Sequence, residues 1–300
     1  MSQIIGLDIG RGYTKCYSEV NGMKKECKFK SVIGEGRGLD FSDKINPIYI
    51  NVNDEDYFVG TLAEKESYSP MRNSKDSKVS ITAEVLMAAA LNSVAVEDEV
   101  NIMLGVPYKS FNKATLNEVT EFYKDKTYKI KDNINGGYKN ITIKSVMIAR
   151  ESDSALFWEV KDSKTNNKAI GMVNIGFRTS EFSYFEPGLK FNDRRSKTIE
   201  YGNKDILAIT QDKLLRDGIS KEVYEIDGNN DYNTESAYKI ASEKISQNIE
   251  DIWINTKEMN VYIAGGTALN MKFDKEYKVI DDAQMATSKG LYLTGTKVFK

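Results

Sequence analysis

Histidine is absent from all 300 residues of the sequence. Its absence excludes Ser-His triads, Cys-His dyads and histidine metal sites. Only two cysteines occur, Cys16 and Cys27, which are too few for a zinc cluster or a disulfide framework. Any acid–base chemistry must therefore use carboxylates, lysine, tyrosine or an activated water.

Long apolar runs and an excess of positive charge are also missing. No run approaches the roughly 20 apolar residues that span a bilayer, and no basic segment precedes a long apolar one. We therefore expect a cytoplasmic protein that does not engage a membrane. The formal net charge of -2 disfavours direct binding to nucleic acid. A chain of this length and hydrophobic content can bury the core of one large or two ordinary domains.

The stretch from Ile4 to Lys15 has the outline of a phosphate-and-metal loop. A short apolar run carries one carboxylate, Asp8, breaks at Gly10 and Gly12, and resumes as an alternating strand that ends in Lys15. A carboxylate at the end of an apolar run is costly unless it is paired or faces a metal such as Mg²⁺. The alternative is that Asp8 caps the following turn. Lys15 either neutralises phosphate charge or belongs to a solvent-facing side of the strand.

The second half of the chain repeats this outline. Residues 170–179 form an apolar strand that runs into Gly176, and Asn174 falls where Asp8 fell. A third apolar strand, 260–264, leads into Gly265, Gly266 and Thr267. Glycine turns at strand ends can present backbone N–H groups to phosphate without a side chain in the way. We expect the first two loops to face each other across a cleft that holds a nucleotide.

The hydrophobic and turn patterns of the remaining sequence predict a sheet followed by helices in each half of the chain. Asn21-Gly22 predicts a two-residue hairpin that places Cys16 opposite Cys27, and Gly34, Gly36 and Gly38 predict a mobile surface loop. Helical spacing predicts helices over 80–95, 109–125, 154–160, 202–216 and 234–255, with a short capped helix over 282–291. A duplicated α/β fold with a central cleft follows from this order.

These motifs together resemble the five-part nucleotide signature of the actin superfamily, which includes actin, sugar kinases and the large heat-shock chaperones. The residues that carry the resemblance are Asp8-Ile9-Gly10 with Thr14 and Lys15, Glu151, Ile175-Gly176, 263–267 and 286–291. Phe58 to Ala63 and Gly105-Val106-Pro107 are similar to bacterial plasmid-segregation ATPases of the ParM type. The resemblance implies an actin-like, ribonuclease H-like fold with two domains, 1–157 with 282–300 and 158–281.

The resemblance also implies roles for individual residues. Asp8 would order the waters of a magnesium ion, with Asn174 contributing through a water, and Glu151 would orient the attacking water. The first loop would hold phosphates through Gly10, Arg11, Gly12, Thr14 and Lys15, and the second through Gly176, Arg178 and Thr179. Gly265, Gly266 and Thr267 would pack along the adenosine. The implied cofactors are Mg²⁺ and ATP, with GTP as the alternative nucleotide.

Two positions depart from the resemblance, and one role stays open. The family usually has aspartate where this chain has Asn174, whose amide can bond a metal-bound water but brings no negative charge. Arg11 is unusual inside the first loop, where it either reaches phosphate or points to solvent. Asp153 lies close enough to Glu151 in sequence to compete for the water-orienting role.

The resemblance implies an ATP hydrolase that polymerises in a nucleotide-dependent way and segregates plasmid DNA. It would act through self-association into filaments and through a DNA-binding adaptor protein on a plasmid centromere. One alternative is a small-molecule kinase of the same superfamily, whose carboxylate would activate a substrate hydroxyl. The other is a non-motile nucleotide-binding scaffold.

Overall fold

The computed structural model of the chain describes residues 2–41, 44, 46–74, 77–163 and 167–299. The chain divides into two compact units, one of Met1–Ser154 with Thr287–Lys300 and one of Ala155–Ala286. No helix in the described part of the chain is long and apolar enough to cross a lipid bilayer.

Unit 1 is built on a ten-stranded sheet with the order β3-β2-β1-β8-β10-β9-β5-β6-β4-β7. Its strands are β1 (Gln3–Ile9), β2 (Tyr13–Val20), β3 (Met23–Lys30), β4 (Val32–Glu35), β5 (Ile48–Val52), β6 (Glu55–Val59), β7 (Met71–Arg72), β8 (Glu99–Val106), β9 (Thr127–Asp132) and β10 (Tyr138–Arg150). Strands β1, β8 and β10 run parallel to one another at its centre. The carboxyl ends of these three strands therefore lie side by side, along what we call the carboxyl edge of the sheet.

The helices of the first half are α1 (Thr61–Glu66), α2 (Ile81–Val94), α3 (Lys113–Tyr123) and α4 (Glu151–Val160), with a 3-10 turn at Tyr108–Ser110. Helix α2 begins where the sequence predicts, because the Ser80 side chain accepts a hydrogen bond from the Ala83 N–H. Most of its side chains are buried, and it forms the main core of the unit with the sheet.

Unit 2 has a five-stranded sheet with the order β13-β12-β11-β14-β15. Its strands are β11 (Ile170–Ile175), β12 (Ser180–Glu186), β13 (Lys190–Ile199), β14 (Asn260–Ala264) and β15 (Tyr277–Val279). Strands β11, β12 and β13 form an antiparallel meander, while β14 and β15 are parallel to β11. The order and directions match those of β3-β2-β1-β8-β10 in unit 1, so the predicted duplication of the fold is confirmed.

The remaining helices are α5 (Asn203–Arg216), α6 (Val223–Ile226), α7 (Glu235–Ile252) and α8 (Ala286–Val298), with 3-10 turns at Thr256–Glu258 and Gly266–Asn270. The core of unit 2 includes Trp253, which is fully buried against Gly171. Helix α8 packs within unit 1, where a Cβ at Gly6 of β1 would lie 2.2 Å from the Ser288 carbonyl oxygen. Glycine is therefore required at that crossing.

Two predicted elements were wrong. Gly34 lies in strand β4 and is buried rather than in a surface loop, since a Cβ there would lie 2.1 Å from Ser67 Oγ. The final helix is longer than predicted and runs on to Val298. The β2–β3 hairpin is confirmed, with Val20 opposite Met23 and Cys16 opposite Cys27, both as free thiols.

Candidate functional site

The first glycine loop joins β1 to β2 at the sheet edge where the parallel strands end. Strands β1 and β2 are paired so that Asp8 lies opposite Lys15 and Ile9 opposite Thr14. The loop closes through a hydrogen bond from the Gly10 N–H to the Tyr13 carbonyl, 3.1 Å long. The carboxyl edge of parallel strands is where open α/β sheets place their ligands.

Asp8 and Lys15 form a buried ion pair at this edge. Lys15 Nζ lies 2.6 Å from Asp8 Oδ2, and the side chains are 15% and 6% exposed. Lys15 is therefore not on a solvent-facing side of β2. The second carboxylate oxygen, Asp8 Oδ1, is buried and has no hydrogen-bond partner among the described residues. Since an unpaired buried oxygen is costly, Asp8 has the free coordination position that a ligand would fill.

Glycine at position 10 lets the loop pass close to the ion pair. A Cβ there would lie 2.8 Å from the Tyr13 carbonyl oxygen, 3.5 Å from Lys15 Nζ and 3.8 Å from Asp8 Oδ1. A side chain would thus collide with the backbone of the loop at Tyr13.

The other predicted residues of the first loop differ in exposure. Arg11, Gly12 and Tyr13 are half-buried in the turn, and the Gly12 carbonyl accepts a hydrogen bond from the Ser31 N–H. The Thr14 side chain is fully buried, and its hydroxyl lies 2.9 Å from Ser31 Oγ. In this structure, Thr14 fixes the base of the loop.

Glu151 follows β10 directly and begins helix α4 at the same edge as Asp8. Gly105 of β8 lies beside it, and a Cβ there would be 3.1 Å from Glu151 Cγ. Burial raises the pKa of the Glu151 carboxyl above its ordinary value. The positive charge of Lys78 opposes this rise and the negative charge of Asp8 adds to it.

Asp153 occupies a different environment two residues further along α4. Its Oδ2 accepts a hydrogen bond of 2.7 Å from Arg150 Nε. Burial raises the pKa of Asp153 to about 6 despite the Arg150 charge. Of the two carboxylates, Glu151 is the one whose pKa the negative charge of Asp8 raises.

The second glycine loop, between β11 and β12, repeats the first in detail. Asn174 lies opposite Glu181, and the Gly176 N–H donates to the Thr179 carbonyl over 2.9 Å. The cross-strand pair Asn174–Glu181 thus occupies the positions that Asp8–Lys15 occupies in unit 1. Glu181 is 4% exposed, so a carboxylate is buried beside the amide.

The third glycine turn packs directly on the second loop within unit 2. Gly265 has φ +96°, and a Cβ there would lie 2.2 Å from the Ile175 carbonyl oxygen. The Thr267 hydroxyl donates to the Gly176 carbonyl over 3.1 Å. The second loop and the third turn thus bring the predicted residues together in unit 2: Gly176, Arg178, Thr179, Gly265, Gly266 and Thr267. The first turn of α5 also bonds the second loop, since the N–H groups of Asn203 and Lys204 donate to the carbonyls of Gly176 and Phe177.

A cavity of about 670 Å³ lies near this turn in unit 2, which is within the usual size range of small-molecule sites. One end of the 3-10 turn and the polar side of α7 line it. The lining residues are Lys213, Asn233, Glu235, Ser236, Lys239, Ser242, Glu243, Ser246, Asn270, Lys272 and Asp274. Sequence reasoning did not identify these residues, although the polar positions of α7 recur at helical spacing.

Residues 6–152 match the family described as the actin-like proteins N terminal domain. A 15-stranded ParM filament from Clostridium botulinum is similar over 99% of both chains, with 22% identity and a TM-score of 0.82. The chain therefore has an actin-like fold. An archaeal actin homolog in complex with ADP is 15% identical, with a TM-score of 0.78 and 99% and 100% of the two chains covered.

Bacillus thuringiensis ParM with ATP is similar to the present chain over 99% of both chains, with 14% identity and a TM-score of 0.71. No curated protein sequence matches the present chain. The predicted resemblance to the superfamily, including its ParM-type members, and the predicted two-domain fold are confirmed.

Two residues of the actin-like chain that sequence reasoning missed lie beside the predicted ones. Glu181 was identifiable in principle, because it follows Asn174 by the same seven residues that separate Asp8 from Lys15. Lys78 contacts Glu151 and the Ile9 carbonyl. No local pattern marks it, because both contacts join segments far apart in sequence.

Proposed function

We propose that this chain binds and hydrolyses a nucleoside triphosphate and assembles into filaments in a nucleotide-dependent way. The observation that carries the proposal is the repeated loop: each unit ends its first parallel strand in the same glycine turn, with a buried acidic side chain opposite a polar one across the hairpin. Two such loops provide backbone and side-chain groups for phosphate. ATP is the first choice and GTP the alternative.

Asp8 fits a role in holding magnesium. Its Oδ1 is buried and accepts no hydrogen bond from the part of the chain that the structure describes, and carboxylate oxygen is a ligand type that Mg²⁺ prefers. Among the described residues, no three acidic or cysteine side chains converge as a metal cluster. A magnesium ion held mostly by water and phosphates needs only one or two protein oxygens, one of which Asp8 would supply. When bound, the ion would neutralise charge on the phosphates.

The remaining chemistry is assigned to side chains of the chain itself. Lys15 binds phosphate oxygen while it stays paired with Asp8, and the loops around Gly10, Gly12, Gly176 and Arg178 position the phosphates. Glu151 orients the attacking water and holds its proton at a carboxylate oxygen. Positioning and charge stabilisation account for most of the rate in phosphoryl transfer, so fixed geometry is what these residues contribute.

The proposed cellular role is plasmid segregation in the cytoplasm. It rests on the similarity to ParM filament structures together with the slight net negative charge. A chain of that charge would reach DNA through a DNA-binding adaptor on the plasmid centromere rather than directly.

Phosphate release, light scattering and sedimentation with ATP, GTP, ADP or no nucleotide test the proposal. We expect ATP with Mg²⁺ to give phosphate and a pelletable polymer, and EDTA to abolish phosphate release. Neither phosphate nor polymer with either triphosphate would refute it. Phosphate only when a small hydroxyl compound is added would favour the kinase, and binding without hydrolysis would favour the scaffold.

The Glu151→Ala variant tests the assigned carboxylate. We expect phosphate release to fall about 100-fold or more while assembly with ATP persists. Glu99→Ala is the matched control, because Glu99 lies at the amino end of β8, away from the carboxyl edge, and is 57% exposed in its side chain. The segregation role is tested by comparing how often cells lose a plasmid that carries the Glu151→Ala coding sequence with how often they lose a plasmid that carries the native coding sequence.

A further inference from the structure

Lys78 is a buried cation that the proposed chemistry does not yet use. It is 7% exposed. Its Nζ donates to the Ile9 carbonyl oxygen over 2.8 Å and lies 3.4 Å from Glu151 Oε1. Ile9 is the last residue of β1, directly before the first glycine turn. One ammonium group therefore links the first loop to the carboxylate at the start of α4.

The backbone of Lys78 is held in place from a third element. The Tyr123 hydroxyl, at the end of α3, donates to the Lys78 carbonyl over 2.6 Å. Tyr123 is fully buried in the core of unit 1. The Asn73 side-chain amide also donates to the Gly10 carbonyl, over 3.1 Å. Lys78 and Asn73 thus bond the two residues at which the turn begins, Ile9 and Gly10.

A cation is the group that this location requires. Glu151 is largely buried, and burial disfavours a charged carboxylate unless a positive charge lies close to it. The charged groups that act on Glu151 are Lys78 and Lys15, which favour its ionised form, and Asp8, which opposes it. Lys78 is the only one of the three that contacts Glu151 among the ion pairs of the described residues.

We propose that Lys78 is a positioning residue for hydrolysis, which fixes the Glu151 carboxylate relative to the first phosphate loop by bonding Oε1 and the Ile9 carbonyl at once. The inference rests on the proposed function. Lys78 acts through Glu151 and through the main chain of the loop, so its loss would affect the chemical step much more than nucleotide binding. Glu151 and Lys78 would therefore act as one unit in catalysis.

Lys78→Gln separates this role from a structural one. We expect kcat for phosphate release to fall about 100-fold, with the Kd for a fluorescent ATP analogue changed by less than about threefold. In the Glu151→Gln background the same substitution should cost little more, because the two residues act as a unit. Lys139→Gln is the matched control, since Lys139 is a half-buried lysine of unit 1 that donates to two carbonyls, those of Asn92 and Ala95, and bonds no carboxylate among the described residues.

Several results would overturn the inference. An unchanged kcat in Lys78→Gln, an equal loss in Lys139→Gln, or losses that multiply in the double variant would each do so. If Lys78→Gln does not fold, Lys78→Arg takes its place, since a planar guanidinium keeps the charge but cannot reproduce both contacts. Its kcat should fall about tenfold with unchanged Kd, and a native kcat would overturn the inference. Failure of the native chain to release phosphate would instead refute the proposed function.

Discussion

Restoring a carboxylate in the second loop, by Asn174→Asp, should make the stability of the protein depend on magnesium. Asn174 is half-buried and lies opposite Glu181, which is 4% exposed. Directly opposed side chains on a sheet start from Cβ atoms about 5 Å apart. The equivalent pair in unit 1 shows that side chains at these positions reach each other, since Lys15 Nζ lies 2.6 Å from Asp8.

The magnitude follows from the charges. Two carboxylates about 5 Å apart repel by about 3 kcal/mol at an effective dielectric constant of about 20. Because Asn174 is partly exposed, solvent screens part of this repulsion, and we expect the free energy of unfolding in EDTA to fall by about 1 to 3 kcal/mol. Magnesium with nucleotide should restore most of the loss, because the cation offsets the added charge.

Urea denaturation of the native chain and of Asn174→Asp, each with EDTA or with Mg²⁺ and ATP, measures the effect. Glu181→Gln in the Asn174→Asp background is the control, since it removes the repulsion while keeping the new carboxylate. An equal loss of stability in that double variant would show that the two charges are not its source. No loss in Asn174→Asp, or a loss that magnesium leaves unchanged, would refute the reasoning.

Two further predictions concern packing and pH. Gly171→Ala should lower the free energy of unfolding by about 1 to 3 kcal/mol, because its Cβ would lie 2.4 Å from the ring of the buried Trp253. Denaturation followed by tryptophan emission measures this, and Gly38→Ala, where a Cβ meets open space, is the control that should change little. Equal stability of the two variants would contradict the packing argument. Asp153 should make the protein less stable as pH rises from about 4 to 6. Burial raises its pKa in the folded state from 3.8 to about 6, so the folded state holds its proton more tightly than the unfolded state does. Its contribution is fully present below the unfolded pKa and is lost as pH rises through the folded one, at most about 3 kcal/mol. Asp153→Asn should remove that part of the pH dependence in urea denaturation at pH 4 to 7, and parallel pH profiles of the two proteins would refute the assignment.

Periodicity and turn chemistry predicted most of the fold. Strand β14 was predicted with its observed bounds, and α5 and α7 to within three residues, because apolar spacing and flanking turns are local signals. Strand β13 was not predicted, because its sequence is polar and half-exposed at the edge of the sheet. Gly34 was misassigned because the close approach of Ser67, which requires glycine there, is a tertiary contact.

The residues of the candidate site likewise divide into those with a local sequence signal and those that only tertiary contacts reveal. Repetition within the sequence identified Asp8, Asn174 and the glycine turns, since each loop has its signal within about ten residues. Lys78 could not be predicted from the sequence, because its two contacts are with a carbonyl 69 residues away and a carboxylate 73 residues away. Contacts of that kind depend on the topology of the sheet, which brings the ends of β1 and β10 to one edge.

The two loops are equivalent in backbone and opposite in the placement of their acidic side chain. In unit 1 the acid is on the first strand, as Asp8, and the base faces it from the second strand, as Lys15. In unit 2 the first strand carries the amide Asn174, and the acid faces it as Glu181. An acidic side chain is therefore present one strand away from the amide. The effect of Asn174 on magnesium affinity must be judged together with Glu181. If Glu181 supplies the negative charge that Asn174 lacks, Glu181→Gln should weaken magnesium-dependent nucleotide binding more than Asn174→Ala does, and titration of the two variants with Mg²⁺ and ATP decides between them.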